Sequence, residues 1–255
     1  MEKFGSAAVR LLVLLLGVAP PAGWADPREE MRLYMQGDFV YQRHCADCHG
    51  KSGRGDGPLA AGTVIRPRDF RKGVFKFRST AMGCLPTDED LRRTIRTGVA
   101  GSLMPAFAEG TVSEGDVRAL IVYIKSMSLR WKDPELRGKA REVPEEPVWF
   151  EAAEAVKKKE EAGKVHFARH CASCHGEGGK GDGVAAAGLV DHWGEPIVAA
   201  DLTKAAWRSG PGRRDLFRTV ALGLDGTPMV GYFEPLGAEA IWEVIAYIEG
   251  LGAEE

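Results

Sequence analysis

Apolar positions recur at helical spacing late in each half of the chain. Val117, Leu120, Ile121 and Ile124 share one face of a helix, and Ile241, Val244, Ile245 and Ile248 repeat that face near the C-terminal end. A shorter helical segment precedes each: "DLRRTIRTG" (90–98) and "DLFRTVALG" (215–223). Thr87 with Asp90, and Ser113 with Asp116, have the spacing of capping boxes and mark helix starts, while Gly98 marks a stop. Residues 151–170 read as one charged helix. Between the halves, residues 128–150 hold Pro134, Pro144 and Pro147 among mixed charges, the composition of a linker. Trp131 and Trp149 are placed to pin it. The pattern predicts an all-α chain of two similar units.

The N-terminal stretch has a different pattern. Residues 11–23 are an apolar run flanked by Lys3 and Arg10, with Gly23 and Ala25 at small-residue positions. A membrane helix needs about 20 apolar residues, so the run is short for a span. It reads as a secretory signal peptide cut after Ala25, with a retained anchor as the alternative. Export to a periplasm follows. The 255 residues suffice for two domains, and a formal charge of −2 points to no nucleic-acid partner.

Chemistry enters with the cysteines. "HCADCHG" (44–50) and "HCASCHG" (170–176) contain four of the five, and the copies lie 126 positions apart. Cys45, Cys48 and His49, then Cys171, Cys174 and His175, spell C-x-x-C-H twice, the attachment signature of c-type haem. Two thiols three positions apart on a helical turn reach the two vinyl groups of one haem. The next residue then offers an imidazole to the iron. A redox dithiol, or a four-cysteine zinc site made from both pairs, are the competing readings. The following His and the long separation of the pairs favour two covalently bound haem c groups.

The repeat extends beyond the motif, as expected of duplicated units. Gly37, Tyr41 and Cys45 match Gly163, Phe167 and Cys171, each set at i, i+4 and i+8 on one helix face. The glycine is expected to permit a close helix crossing and the aromatic to pack beside the haem. "GKSGRGDGPLAAG" matches "GEGGKGDGVAAAG", and "RPRDF" (66–70) matches "VAADL" (198–202). "GSLMPAF" matches "GTPMVGY", which places Met104 and Met229 in register, 55 and 54 residues after their histidines. Both are candidate sixth ligands of iron. His192 reads as a loop histidine, His44 and His170 as helix-surface residues, and Met82 as packing.

Each half therefore resembles a class I cytochrome c domain, and the whole resembles a tandem dihaem cytochrome c of a bacterial respiratory chain. The resemblance runs from about residue 35 to 252. With the leader at 1–25 and a linker at 131–152 set apart, the two domains are expected at 26–130 and 153–255. The resemblance implies haem attached at Cys45, Cys48, Cys171 and Cys174, and iron held by His49 and Met104 in one domain and His175 and Met229 in the other. It also implies that a proline loop supplies the carbonyl for the proximal histidine, with Pro67 in that place and Ala199 in the second copy.

The resulting expectation is a non-enzymatic carrier of single electrons between redox protein partners in respiration, with peripheral or no membrane contact. A dihaem peroxidase-type enzyme and a haem-based sensor are the alternatives. Cys84 has no counterpart in the second copy and reads as a buried free thiol or an intermolecular disulfide. Eight basic residues between 51 and 78 could pair haem propionates or dock an acidic partner.

Overall fold

The computed structural model describes residues 26–63, 65–204 and 207–253. The expected signal peptide, residues 1–25, lies outside the described residues. The first unit contains α1 (Pro27–His44), α2 (Ala46–His49), α3 (Asp88–Thr97) and α4 (Glu114–Ser126). The second repeats the order with α5 (Ala153–His170), α6 (Ala172–His175), α7 (Arg213–Leu222) and α8 (Phe233–Ala253). Among the described residues there are no strands beyond two isolated bridges, so the all-α expectation holds.

Local chemistry explains the helix bounds. Both expected capping boxes form: Thr87 and Asp90 start α3, and Ser113 and Asp116 start α4. Pro27 opens α1, where its missing N–H costs nothing, and Asp26 caps it. α8 is broken at Gly237, whose φ of 73° interrupts the helical backbone.

Each unit is framed by a crossing of its first and last helices, α1 on α4 and α5 on α8. Glycine makes the approach possible. A Cβ on Gly37 would overlap the Ala119 carbonyl oxygen, and one on Gly163 would overlap that of Glu243. Tyr41 and Phe167 are almost fully buried in these crossings, with ring centroids 5.2 Å from Tyr123 and 5.1 Å from Tyr247. The expected aromatic position is thus part of the helix crossing.

Two cores result. One joins Val40, Tyr41, Phe70, Leu91, Val117 and Leu120; the other joins Phe167, Phe217, Ile241, Trp242, Val244 and Ile245. Trp131 packs on the first and Trp149 on the second, so each holds one end of the connecting segment on its own domain. In between, that segment returns over the first unit: Leu85 N–H donates to Leu136 O at 2.8 Å and Arg141 N–H to Ser79 O at 2.7 Å.

Candidate functional site

The two C-x-x-C-H segments have the same backbone hydrogen bonds. Cys45 N–H donates to Tyr41 O at 2.8 Å, ending α1, and His49 N–H turns back to Cys45 O at 2.8 Å. The second copy gives 2.8 Å for Cys171 to Phe167 and 2.9 Å for His175 to Cys171. Each motif is therefore one further helical turn, broken from the long helix at the first cysteine. That turn places the two thiols and the imidazole in the order the sequence requires.

Burial pushes the Cys45 thiol up to about 12 and the Cys171 thiol up to about 11, with the neighbouring cysteine adding to each. A reactive dithiol needs the opposite, a lowered pKa. Among the described residues no three His, Cys, Asp or Glu side chains converge on a metal position, so the two pairs do not assemble a four-cysteine zinc site.

The imidazoles are oriented alike. His49 Nδ1 lies 3.1 Å from Arg68 O, and His175 Nδ1 lies 3.0 Å from Ala200 O. A proton on Nδ1 makes each a donor to its carbonyl and leaves Nε2 as the nitrogen able to coordinate iron. Burial holds both histidines below their usual pKa, against the pull of the carbonyl, which keeps the rings neutral. His49 also stacks on Phe70, with centroids 4.4 Å apart.

The accepting carbonyl belongs to the residue after the expected one. Pro67 O and Ala199 O instead face Gly55 and Gly181, where an added Cβ would lie 2.5 and 2.7 Å away. Proline rigidity in the first copy thus acts one peptide before the acceptor. The glycine loops anchor the same corner: Gly55 N–H donates to His49 O and Gly181 N–H to His175 O, both at 2.8 Å.

Met104 and Met229 occupy matching loops. The Val99 and Leu224 N–H groups donate to Met104 O and Met229 O at 3.1 and 2.9 Å. The methionine N–H groups donate to Ser102 Oγ and Thr227 Oγ1 at 3.1 and 3.2 Å. Gly98 and Gly223, with φ of 66° and 69°, let each loop leave its helix.

A further link was missed at the sequence level. His44 lies edge-on to Phe107, and His170 to Tyr232, at 6.2 and 5.8 Å, while Tyr232 Oη donates to His170 O at 3.0 Å. These histidines are half-buried ties between the motif helix and the methionine loop, rather than bare helix surface. The register of Phe107 with Tyr232 was the signal available. Met82 is exposed, contrary to its expected packing role, because it sits in a turn outside the core. His192 is a loop residue as expected, its N–H donating to Gly226 O at 3.1 Å. Cys84 is half-buried with a free thiol.

Known proteins fall on the same two units. A family model described as cytochrome c oxidase, cbb3-type, subunit III matches residues 32–124. One described as cytochrome c matches residues 160–252. A chain of the Kuenenia stuttgartiensis reducing HAO-like protein complex is 33% identical, with a TM-score of 0.77 over 85% of this chain and 95% of that one. The chain belongs to the cytochrome c family. It is a tandem of two cytochrome c domains, an electron-transfer protein with two covalently bound haem c groups. The cbb3-type cytochrome c oxidase subunit CcoP of Cereibacter sphaeroides is 24% identical over 262 residues, covering 100% of this chain and 73% of that protein.

The polar groups of this dihaem cytochrome fit haem as well as the thiols do. Trp131 against the first core, and Trp149 and Trp207 against the second, bury indole N–H groups that have no partner among the described residues. Arg68, Lys76 and Arg208 are drawn below their ordinary pKa by burial, Lys76 to about 8, and among the described residues none has a carboxylate at ion-pair distance. Unsatisfied buried donors and desolvated cations are costly without an anion. Haem would bring two propionates, acceptors of the kind these donors and cations lack. Among the described residues no helix is long and apolar enough to cross a membrane.

Proposed function

We propose that this protein is an exported, periplasmic electron-transfer subunit that passes single electrons between larger redox partners in respiration. The observation that carries the reading is the duplicated site: two neutral histidines, each aimed by an Nδ1–carbonyl bond, each paired in register with a methionine loop. In this reading Cys45, Cys48 and His49 hold the first haem with Met104 as sixth ligand. Cys171, Cys174, His175 and Met229 hold the second. The domains span 26–130 and 153–255, joined by 131–152, and residues 1–25 form a leader cut after Ala25.

Bound haem supplies reversible one-electron chemistry and a ferrous state that a thioether ligand favours. The residues do the rest. The Arg68 and Ala200 carbonyls fix the two imidazole planes and raise their basicity. The Ser102 and Thr227 hydroxyls fix the methionine backbone. Iron held by both a histidine and a methionine would have no position for a substrate, which favours a carrier over an enzyme.

Two relatives support work within a complex. One is named as an oxidase subunit, and the other was solved in an HAO-like protein complex. The test is peroxide turnover and carbon monoxide binding by the reduced holoprotein. No turnover and no binding at either haem are expected. Turnover would favour the peroxidase reading, and gas binding the sensor.

A further inference from the structure

The two methionine loops are equivalent in backbone but not in surroundings. In the first domain Thr97, the last residue of α3, is exposed, and so is Gly101 in the loop. Their counterparts Leu222 and Gly226 are buried, as is Asp225. The first domain contributes to that cover: an added Cβ on Gly226 would lie 3.1 Å from Val74 Cγ1, with Trp193 of the second domain's own loop 3.2 Å away.

A helix ends with carbonyls that lack intrahelical partners. Water can reach the exposed end of α3. At the buried end of α7, Arg78 of the first domain takes that part. Its Nη1 and Nη2 donate to Leu222 O at 3.4 and 3.3 Å, and its Nε lies 3.9 Å from Asp225 Oδ2. The Arg78 side chain is completely buried. Its backbone is anchored by the next residue: Ser79 N–H and Oγ–H both donate to Asp90 Oδ2 at 2.9 Å. At the other end of the same helix, Arg93 Nε lies 3.7 Å from Asp215 Oδ1. α7 is thus held at both ends by arginines of the other domain. From Leu222 the chain turns at Gly223, and Leu224 N–H pairs with Met229 O at 2.9 Å. Only that short loop separates Arg78's acceptor from the candidate ligand.

We propose that Arg78 is a cross-domain positioning residue for Met229. Methionine ligation in the second domain depends on the first domain being docked against it; ligation by Met104 has no such dependence. The inference rests on reading Met229 as the sixth ligand. It makes the second haem the one whose potential responds to the domain seam.

The test uses the full-length dihaem protein with Arg78→Leu, Arg78→Lys, Met229→Leu and Met104→Leu. The readouts are the far-red charge-transfer band of methionine on ferric iron and the two reduction potentials. Arg78→Leu is expected to lose about half the band and to lower one potential, the same one that Met229→Leu lowers. Arg78→Lys, which keeps a donor, is expected to restore part of both. A full band and unchanged potentials in Arg78→Leu overturn the inference, as does a shift of the Met104-linked haem instead. Should Arg78→Leu fail to accumulate, an unchanged band and unchanged potentials in Arg78→Lys overturn it equally. A full band in Met229→Leu overturns the ligand assignment and the inference with it. A halved band there beside a full band in Arg78→Leu overturns the inference alone.

Discussion

Gly37→Ala tests whether helix crossing frames the first site. The new Cβ would overlap Ala119 O and lie 2.7 Å from Ala119 C and 2.8 Å from Tyr123 Cβ. Two of those three atoms are backbone of α4 and cannot rotate aside, so the helices must separate. Overpacking of this kind costs up to about 3 kcal/mol. Alanine in a helix interior returns about 1 kcal/mol relative to glycine. The expected net loss is about 2 kcal/mol, which for a domain of this size lowers the transition by roughly 8–16 °C. Gly115→Ala in α4 of the same domain is the control. Its Cβ would meet nothing closer than Ser113 Oγ at 3.7 Å, so it should be neutral or stabilise by up to about 1 kcal/mol. Thermal unfolding of the holoprotein, followed by helix and haem signals, reads both. Equal or greater stability for Gly37→Ala would refute the close-crossing argument.

Asp90→Asn should destabilise the first domain at neutral pH by about 1–3 kcal/mol, because buried donors lose a charged acceptor. Burial works against the Asp90 carboxylate, but hydrogen bonds from Ser79 and Thr87 and the Arg93 charge outweigh it and hold its pKa below the usual value. The carboxylate's contribution is therefore present above its unfolded pKa and lost as pH falls through the lower folded one. Stability curves of wild type and variant should converge in acid, and a gap that stays constant would contradict this. Trp207→Phe removes a buried indole N–H that has no partner among the described residues and would be available to a haem propionate. A lost hydrogen bond of about 1 kcal/mol corresponds to about 40 mV for one electron. Redox titration should find one potential lowered by up to that amount and the other unmoved.

Much of this structure was legible in the sequence because it repeats. Cys45 and Cys171 set a register, and Gly37, Gly163, Met104 and Met229 then fell into place without any knowledge of their neighbours. The capping boxes at Thr87 and Ser113 were legible because they are local. What stayed hidden depended on contacts between the copies or across long loops. Nothing near Arg78 in the chain indicates a partner at Leu222, 144 residues away. The proximal acceptor lies one residue beyond the position that the proline marks, because Pro67 packs its carbonyl over Gly55. His44 and His170 looked like surface positions because their ring partners lie in a loop whose path the pattern does not specify.

The central claim is that both haems are six-coordinate electron carriers, each with its own histidine and methionine. A spectroelectrochemical titration of the intact holoprotein tests it directly, following the visible haem bands and the far-red methionine band together. Two one-electron steps are predicted, with each ferric haem contributing methionine-band intensity and no five-coordinate component at any potential. A single step from one haem, or a five-coordinate signal from either, would contradict the account.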